Sequence, residues 1–190
     1  MSSFPSRQFI VPVLIIVPLI IFGPAIRYGF VGWDDDIHVY NNRYLKSLTF
    51  ENVSHFWISV HEGMYIPVTF TAWALLAAFS RLVSGGFNPA VFHNANLIVH
   101  LANVLILYGI LRFLLLGGGG DSERKEWAAG LGTLLFAVHP LQAEPVIWIS
   151  SLKDLLCGFF SLLCLRNYLC YGRAVSINRS NPALNRRQRK

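Results

Sequence analysis

Five long apolar blocks dominate the chain, and they restrict it to an all-α fold inside a lipid bilayer. They run from Phe9 to Ile26, Ile66 to Val83, Val91 to Leu116, Trp127 to Val138 and Leu155 to Tyr171. In hydrocarbon every backbone N–H and C=O must be satisfied internally, so an apolar block of about 20 residues crosses as a helix. Only 14% of the residues are charged, against about 25% in a soluble domain, and the deficit falls in these blocks. The first block is long for a signal-peptide core and no small-x-small cleavage site follows it, so it reads as a retained anchor helix. Pro12, Pro18 and Pro24 bend it, which membrane helices tolerate.

Charge decides how many blocks cross. Arg7, the Arg112/Arg124/Lys125 cluster and the C-terminal Arg173, Arg179, Arg186, Arg187, Arg189 and Lys190 are the basic groups near helix ends. The positive-inside rule puts all three on the cytoplasmic face only if four blocks span. The expected spans are about 9–30, 91–116, 127–143 and 154–171, with an outer loop at 31–65. The block at 66–83 carries Pro67 near its start, Arg81 near its end and Gly85-Gly86 after it. It is assigned as an interfacial or re-entrant helix on the outer side. The fold class is thus an all-α polytopic membrane helical bundle: a membrane module over 1–172 and a basic, disordered tail over 173–190. Both termini are cytoplasmic, in a bacterial inner membrane or the endoplasmic reticulum, and the basic tail marks sidedness with no nucleic-acid partner expected.

This arrangement gathers the acids on the outer face. Asp34, Asp35 and Asp36 are adjacent carboxylates whose mutual repulsion suits a general base or a metal ligand; a solvated turn or a helix cap is the bland alternative. Glu144 sits between Pro140 and Pro145 at a helix end, and Lys153-Asp154 opens the last block as a local ion pair or a phosphate contact. His93, Asn96, His100 and Asn103 recur on one face of the second span. His93 and His100 are about 10 Å apart along the axis, too far for one metal site, so interhelical hydrogen bonding is preferred. Aromatics such as Trp33, Trp57 and Trp148 fit a membrane-interface belt. Cys157, Cys164 and Cys170 match no zinc or redox spacing and read as buried apolar residues.

Four landmarks in order resemble a known group. They are Phe30-Val-Gly-Trp-Asp-Asp-Asp-Ile-His38, Tyr65-Ile-Pro-Val-Thr69, His93-x-x-Asn-x-x-x-His100, and the stretch from Leu135 through His139-Pro-Leu-Gln-Ala-Glu-Pro145 to Trp148-Ile-Ser-Ser-Leu-Lys-Asp-Leu155. Together they resemble the GT-C glycosyltransferases, most similarly the transmembrane-and-TPR O-mannosyltransferases and their bacterial relatives, over about residues 10–170. The resemblance implies transfer of a sugar, mannose, from a polyprenyl- or dolichyl-phosphate donor to a protein Ser/Thr or glycan hydroxyl on the outer or luminal face, with inversion. It implies Asp35 as the base, with Asp34 taking that role if the register shifts by one, and Asp36 beside them. Glu144 becomes the second-loop acid, and Lys153 and His38 serve the donor phosphate. The only cofactor it implies is a divalent ion, Mg or Mn, on Asp35, Asp36 and Glu144. Expected partners are membrane lipid, the lipid-linked donor, a protein acceptor and a full-length homologue.

Two departures stand against the family pattern. Leu152 precedes Lys153 where many relatives carry an arginine, and four spans fall short of the family's ten or more with their tetratricopeptide repeats. The chain therefore reads as a hexosyltransferase if the missing helices are supplied. The other reading is an inactive truncated paralogue that binds donor lipid or a full-length partner. An ion transporter ranks last, because it needs acids within the spans.

Overall fold

The computed structural model describes residues 6–117 and 120–180, and their regular elements are all helical. Helix α1 (Ser6–Phe22) carries Pro12 and Pro18 and tightens into a 3-10 turn, Gly23–Arg27. A connecting layer follows, with a π-helical turn at Asp36–Tyr40, a 3-10 turn at Arg43–Leu45 and helix α2 (Phe50–Ile58). Then come α3 (Pro67–Ser84), α4 (Pro89–Leu116), α5 (Ser122–Ala137), α6 (Ala143–Ile147) and α7 (Leu152–Ser180). The starts are written in the sequence. Asn88 caps α4 ahead of Pro89, and the Asp121 carboxylate accepts the free N–H groups of Glu123 and Arg124 at the head of α5.

The chain is an integral membrane protein. Four of its helical stretches are long and apolar enough to cross a bilayer: Gln8–Arg27, Pro67–Ser84, Pro89–Leu116 and Ile149–Ser176. Helix α4 is the centre, packed along α1, α5 and α7. Where α1 meets α5, the backbones approach so closely that a Cβ on Gly130 would sit 2.9 Å from Ile10, the small-residue contact by which membrane helices pack.

The crossing expected at 127–143 is not one helix. Helix α5 begins earlier, at Ser122, and ends at Ala137. The chain then turns through His139–Gln142 and resumes as the short α6, because Pro140 and Pro145 cannot continue the α5 ladder. The break frees carbonyls, and the polar face of α4 collects them. His100 Nε2 lies 2.9 Å from the Ala137 carbonyl, and Asn96 Nδ2 donates to the Trp148 carbonyl at 2.7 Å. Further down, Asn103 Nδ2 donates to the Leu155 carbonyl at 3.0 Å. The stripe of His and Asn thus seals a broken crossing, as buried irregular backbone in a membrane requires.

Helix α3 is apolar enough to span, yet its packing differs from that of the crossings. Its first turn borders Lys153 and Leu156 at the start of α7. At its other end, Arg81 donates to the Leu45 carbonyl at 2.7 Å, and Ser80 donates to that of Gly86 just before α4. Between them Phe70, Trp73 and Ala77 share a core with Val39, Leu45, Phe56, Ile149 and Leu152. Both ends therefore adjoin the same end of the bundle, the end that carries the aspartates. Val68, Leu75, Phe79 and Leu82 remain exposed along its outer side.

Two further expectations change. Helix α7 continues as far as Ser180, so the first part of the region assigned as tail is helical, while 181–190 lie outside the described residues. Cys157, Cys164 and Cys170 are exposed rather than buried. In a membrane helix an apolar side chain needs no protein cover, because lipid satisfies it equally well.

Candidate active site

The three aspartates are consecutive on one helical stretch, the last of them opening the π-helical turn, so successive side chains point about 100° apart. They consequently meet three different surroundings. Asp35 faces inward and is 0% exposed. Its Oδ1 accepts from the Ser150 N–H at 2.9 Å and the Ser150 hydroxyl at 2.5 Å, and its Oδ2 accepts from the Val31 N–H at 3.0 Å. Asp36 accepts from the N–H of the adjacent Ile37. Asp34 is half-buried, and no hydrogen-bond partner holds its carboxylate among the described residues. The acid that the family resemblance singles out as base is thus enclosed and fully engaged, while its neighbour is open. Three donors on one buried carboxylate make a clamp between the first loop and the segment before α7.

Ser150 connects that clamp to the cation of Lys153. Its carbonyl accepts from Lys153 Nζ at 3.0 Å, and the ammonium lies 5.7 Å from the centre of the Trp148 ring. Sequence reasoning missed Ser150. Its signal was present in the Trp148-Ile-Ser-Ser151 stretch, but nothing in that stretch says which serine would turn inward. Lys153 lines an open, largely apolar groove of about 210 Å³ together with Ile66, Val68, Leu156 and Phe160. The α3 N-terminus, which has no side-chain cap, borders the same groove and adds the positive end of a helix dipole.

His38 sits one turn after Asp34, buried against the edge of Phe70, and its Nδ1 has no hydrogen-bond partner. Burial lowers its pKa from the ordinary 6.5, opposed by Asp34 and assisted by Lys153. His61, in an aromatic nest with Tyr44, Phe56 and Phe70, is lowered first by burial as well. A lowered histidine favours the neutral form in the fold, so the unfolded chain binds protons first as pH drops. The stability these residues contribute is complete above pH 6.5 and is lost as pH falls below it. His38→Gln is expected to flatten this decline in thermal midpoint between pH 7 and 5; an unchanged slope would remove His38 from the account.

The remaining expected site residues are not joined to this group by any hydrogen bond or ion pair among the described residues. Glu144 lies exposed on α6. His93 is buried near the head of α4, edge-on to Tyr28, with the Tyr28, Gly29 and Ile147 backbone around its ring. No three His, Cys, Asp or Glu side chains converge among the described residues, and the oxygens of Asp35 already accept three protein donors.

Comparison with known proteins gives two relatives. The chain is 33% identical over 167 residues to protein O-mannosyl-transferase TMTC4 of Mus musculus, and 30% identical over 165 residues to protein O-mannosyl-transferase TMTC4 of Homo sapiens. Each match covers 80% of this chain and 22% of the relative, so the chain spans about a fifth of their length. No family model matches the chain, and no solved structure does.

Proposed function

Because the chain is a homologue of the TMTC4 protein O-mannosyl-transferases, members of the GT-C superfamily, we propose that its aspartate end is a glycosyl-transfer site. The donor is a polyprenyl- or dolichyl-phosphate mannose, and the acceptor is a Ser/Thr or glycan hydroxyl on the outer or luminal face. The observation that carries this reading is the groove between α3 and α7. It is lined by apolar side chains and one cation, Lys153, and both Lys153 and Asp34 act electrostatically on His38. Helix α3 rests in the interface with Val68, Leu75 and Phe79 in the acyl region, so a prenyl chain enters the groove laterally.

Each group has a defined task. Asp34 takes the proton from the acceptor hydroxyl, whose oxygen attacks the anomeric carbon. The bond from that carbon to the phosphate oxygen breaks, and the lipid phosphate leaves with the electron pair. Lys153 and the α3 N-terminus stabilise the charge that develops there. Asp35 takes no proton; through Ser150 it fixes Lys153 relative to Asp34. Single displacement by one base gives inversion at the anomeric carbon.

The second reading is a non-catalytic chain that binds the donor lipid or a longer homologue, and it is favoured by the enclosure of Asp35, the acid expected as base, by three protein donors. A photoreactive polyprenyl-phosphate mannose serves both readings. It is expected to label 66–69 and 153–160 in the native chain, and Lys153→Ala is expected to weaken labelling about tenfold. Labelling spread evenly over all the apolar helices would contradict the groove.

A further inference from the structure

The end of the bundle away from the aspartates holds features that the transfer site does not use. Along the second halves of α4 and α7 lies a cleft with two lobes, of about 550 and 430 Å³, which share Phe113, Leu169 and Arg173. Arg112, Arg166 and Arg173 line the second lobe. Arg112 is bound to Glu126 of α5 at 2.6 Å, so its charge is met within the protein. Arg166 and Arg173 have no carboxylate partner among the described residues, and the Arg173 guanidinium lies over the Phe113 ring at 5.3 Å.

Depth makes this arrangement specific. Arg112 lies about 34 Å along α4 from Pro89, and Arg173 about 31 Å along α7 from Leu152, at 1.5 Å per residue. A hydrocarbon core of about 30 Å puts both at the opposite headgroup level, with Arg166 about 10 Å nearer the core. Tyr168 and Tyr171, exposed on the same stretch, fit that interface. An unpaired guanidinium at the depth of Arg166 is costly unless an anion or water reaches it.

We propose that this cleft binds an anionic membrane phospholipid. Arg166 and Arg173 hold the phosphate, and one acyl chain lies against Phe113, Leu114 and Leu169. Basic pockets between membrane helices select anionic headgroups in this way. A choline headgroup would bring a third cation into a site that already has two unpaired ones. The chain's own last residues are an unsuitable occupant on charge, since Arg186, Arg187, Arg189 and Lys190 repeat the sign of the cleft.

Cys170, an exposed free thiol in the second lobe, reports occupancy directly. Maleimide labelling of the native chain in detergent is expected to slow at least fivefold at Cys170 when phosphatidylglycerol is added. Phosphatidylcholine or inorganic phosphate is expected to leave it unchanged, with Cys164, exposed but outside both the cleft and the α3–α7 groove, as the internal control. The exposed pair Arg166→Gln/Arg173→Gln should lose the protection, and Arg173→Lys alone should keep most of it. Equal protection by both lipids, or protection that survives the double variant, would overturn the proposal. So would a Cys170–Cys170 cross-link between chains that phosphatidylglycerol does not prevent, because protein would then occupy the cleft.

Discussion

Asp34→Asn is expected to lower mannose transfer from a lipid donor by about 100- to 10,000-fold, the usual contribution of a positioned general base, while the thermal midpoint stays at its native value. The asparagine keeps the size of the side chain but cannot take a proton. No hydrogen bond of the fold depends on the charge, because the Asp34 carboxylate has no hydrogen-bond partner among the described residues. Transfer in membranes and unfolding in detergent, read on the same preparation, separate the two effects. A variant that transfers at the native rate would remove Asp34 from the chemistry.

Asp35→Ala is expected to do something different: to destabilise the chain by about 3–5 kcal/mol. It leaves the Ser150 N–H and hydroxyl and the Val31 N–H without their acceptor, and an orphaned buried donor costs about 1–3 kcal/mol. Transfer falls too, because the Ser150 backbone that holds Lys153 is released. Asp35→Asn is the informative companion. Its carbonyl can still accept from Ser150, but its NH2 then faces the Val31 N–H, so stability recovers only in part. If Asp35 were the base, the asparagine variant would lose transfer far beyond its partial loss of stability while Asp34→Asn kept the native rate, so transfer and unfolding midpoint read together distinguish the cases.

The difference between these two residues shows where the sequence stops being readable. Three identical carboxylates in a row carry no mark of their directions. Only the 100° step of a helical turn, together with the arrival of Ser150 from 115 residues away, makes one a clamp and leaves another open. The apolar blocks were legible because hydrocarbon imposes one backbone solution. The stripe His93/Asn96/His100/Asn103 was legible as interhelical bonding, and three of its four members do bond across to carbonyls.

Where the crossings end was less legible. Hydropathy continues past Ala137 into 138–143, but the prolines divert the chain, and apolar composition cannot show that. Glu126 falls just outside the apolar block that begins at Trp127; it is buried in α5, where it accepts from both Tyr108 and Arg112. A carboxylate one turn inside a helix resembles a loop acid until its cation on a neighbouring helix is known. The cysteines were misplaced for a related reason: burial in protein and exposure to lipid select the same apolar side chains.

The most direct test is to supply membranes containing the native chain with polyprenyl-phosphate mannose labelled at the anomeric carbon, plus a Ser/Thr acceptor peptide, and to read the linkage by NMR. One base and one displacement predict labelled mannose on the peptide hydroxyl, with an anomeric configuration opposite to that of the donor. Retained configuration, or donor bound in the groove with no label reaching the peptide, would contradict the account.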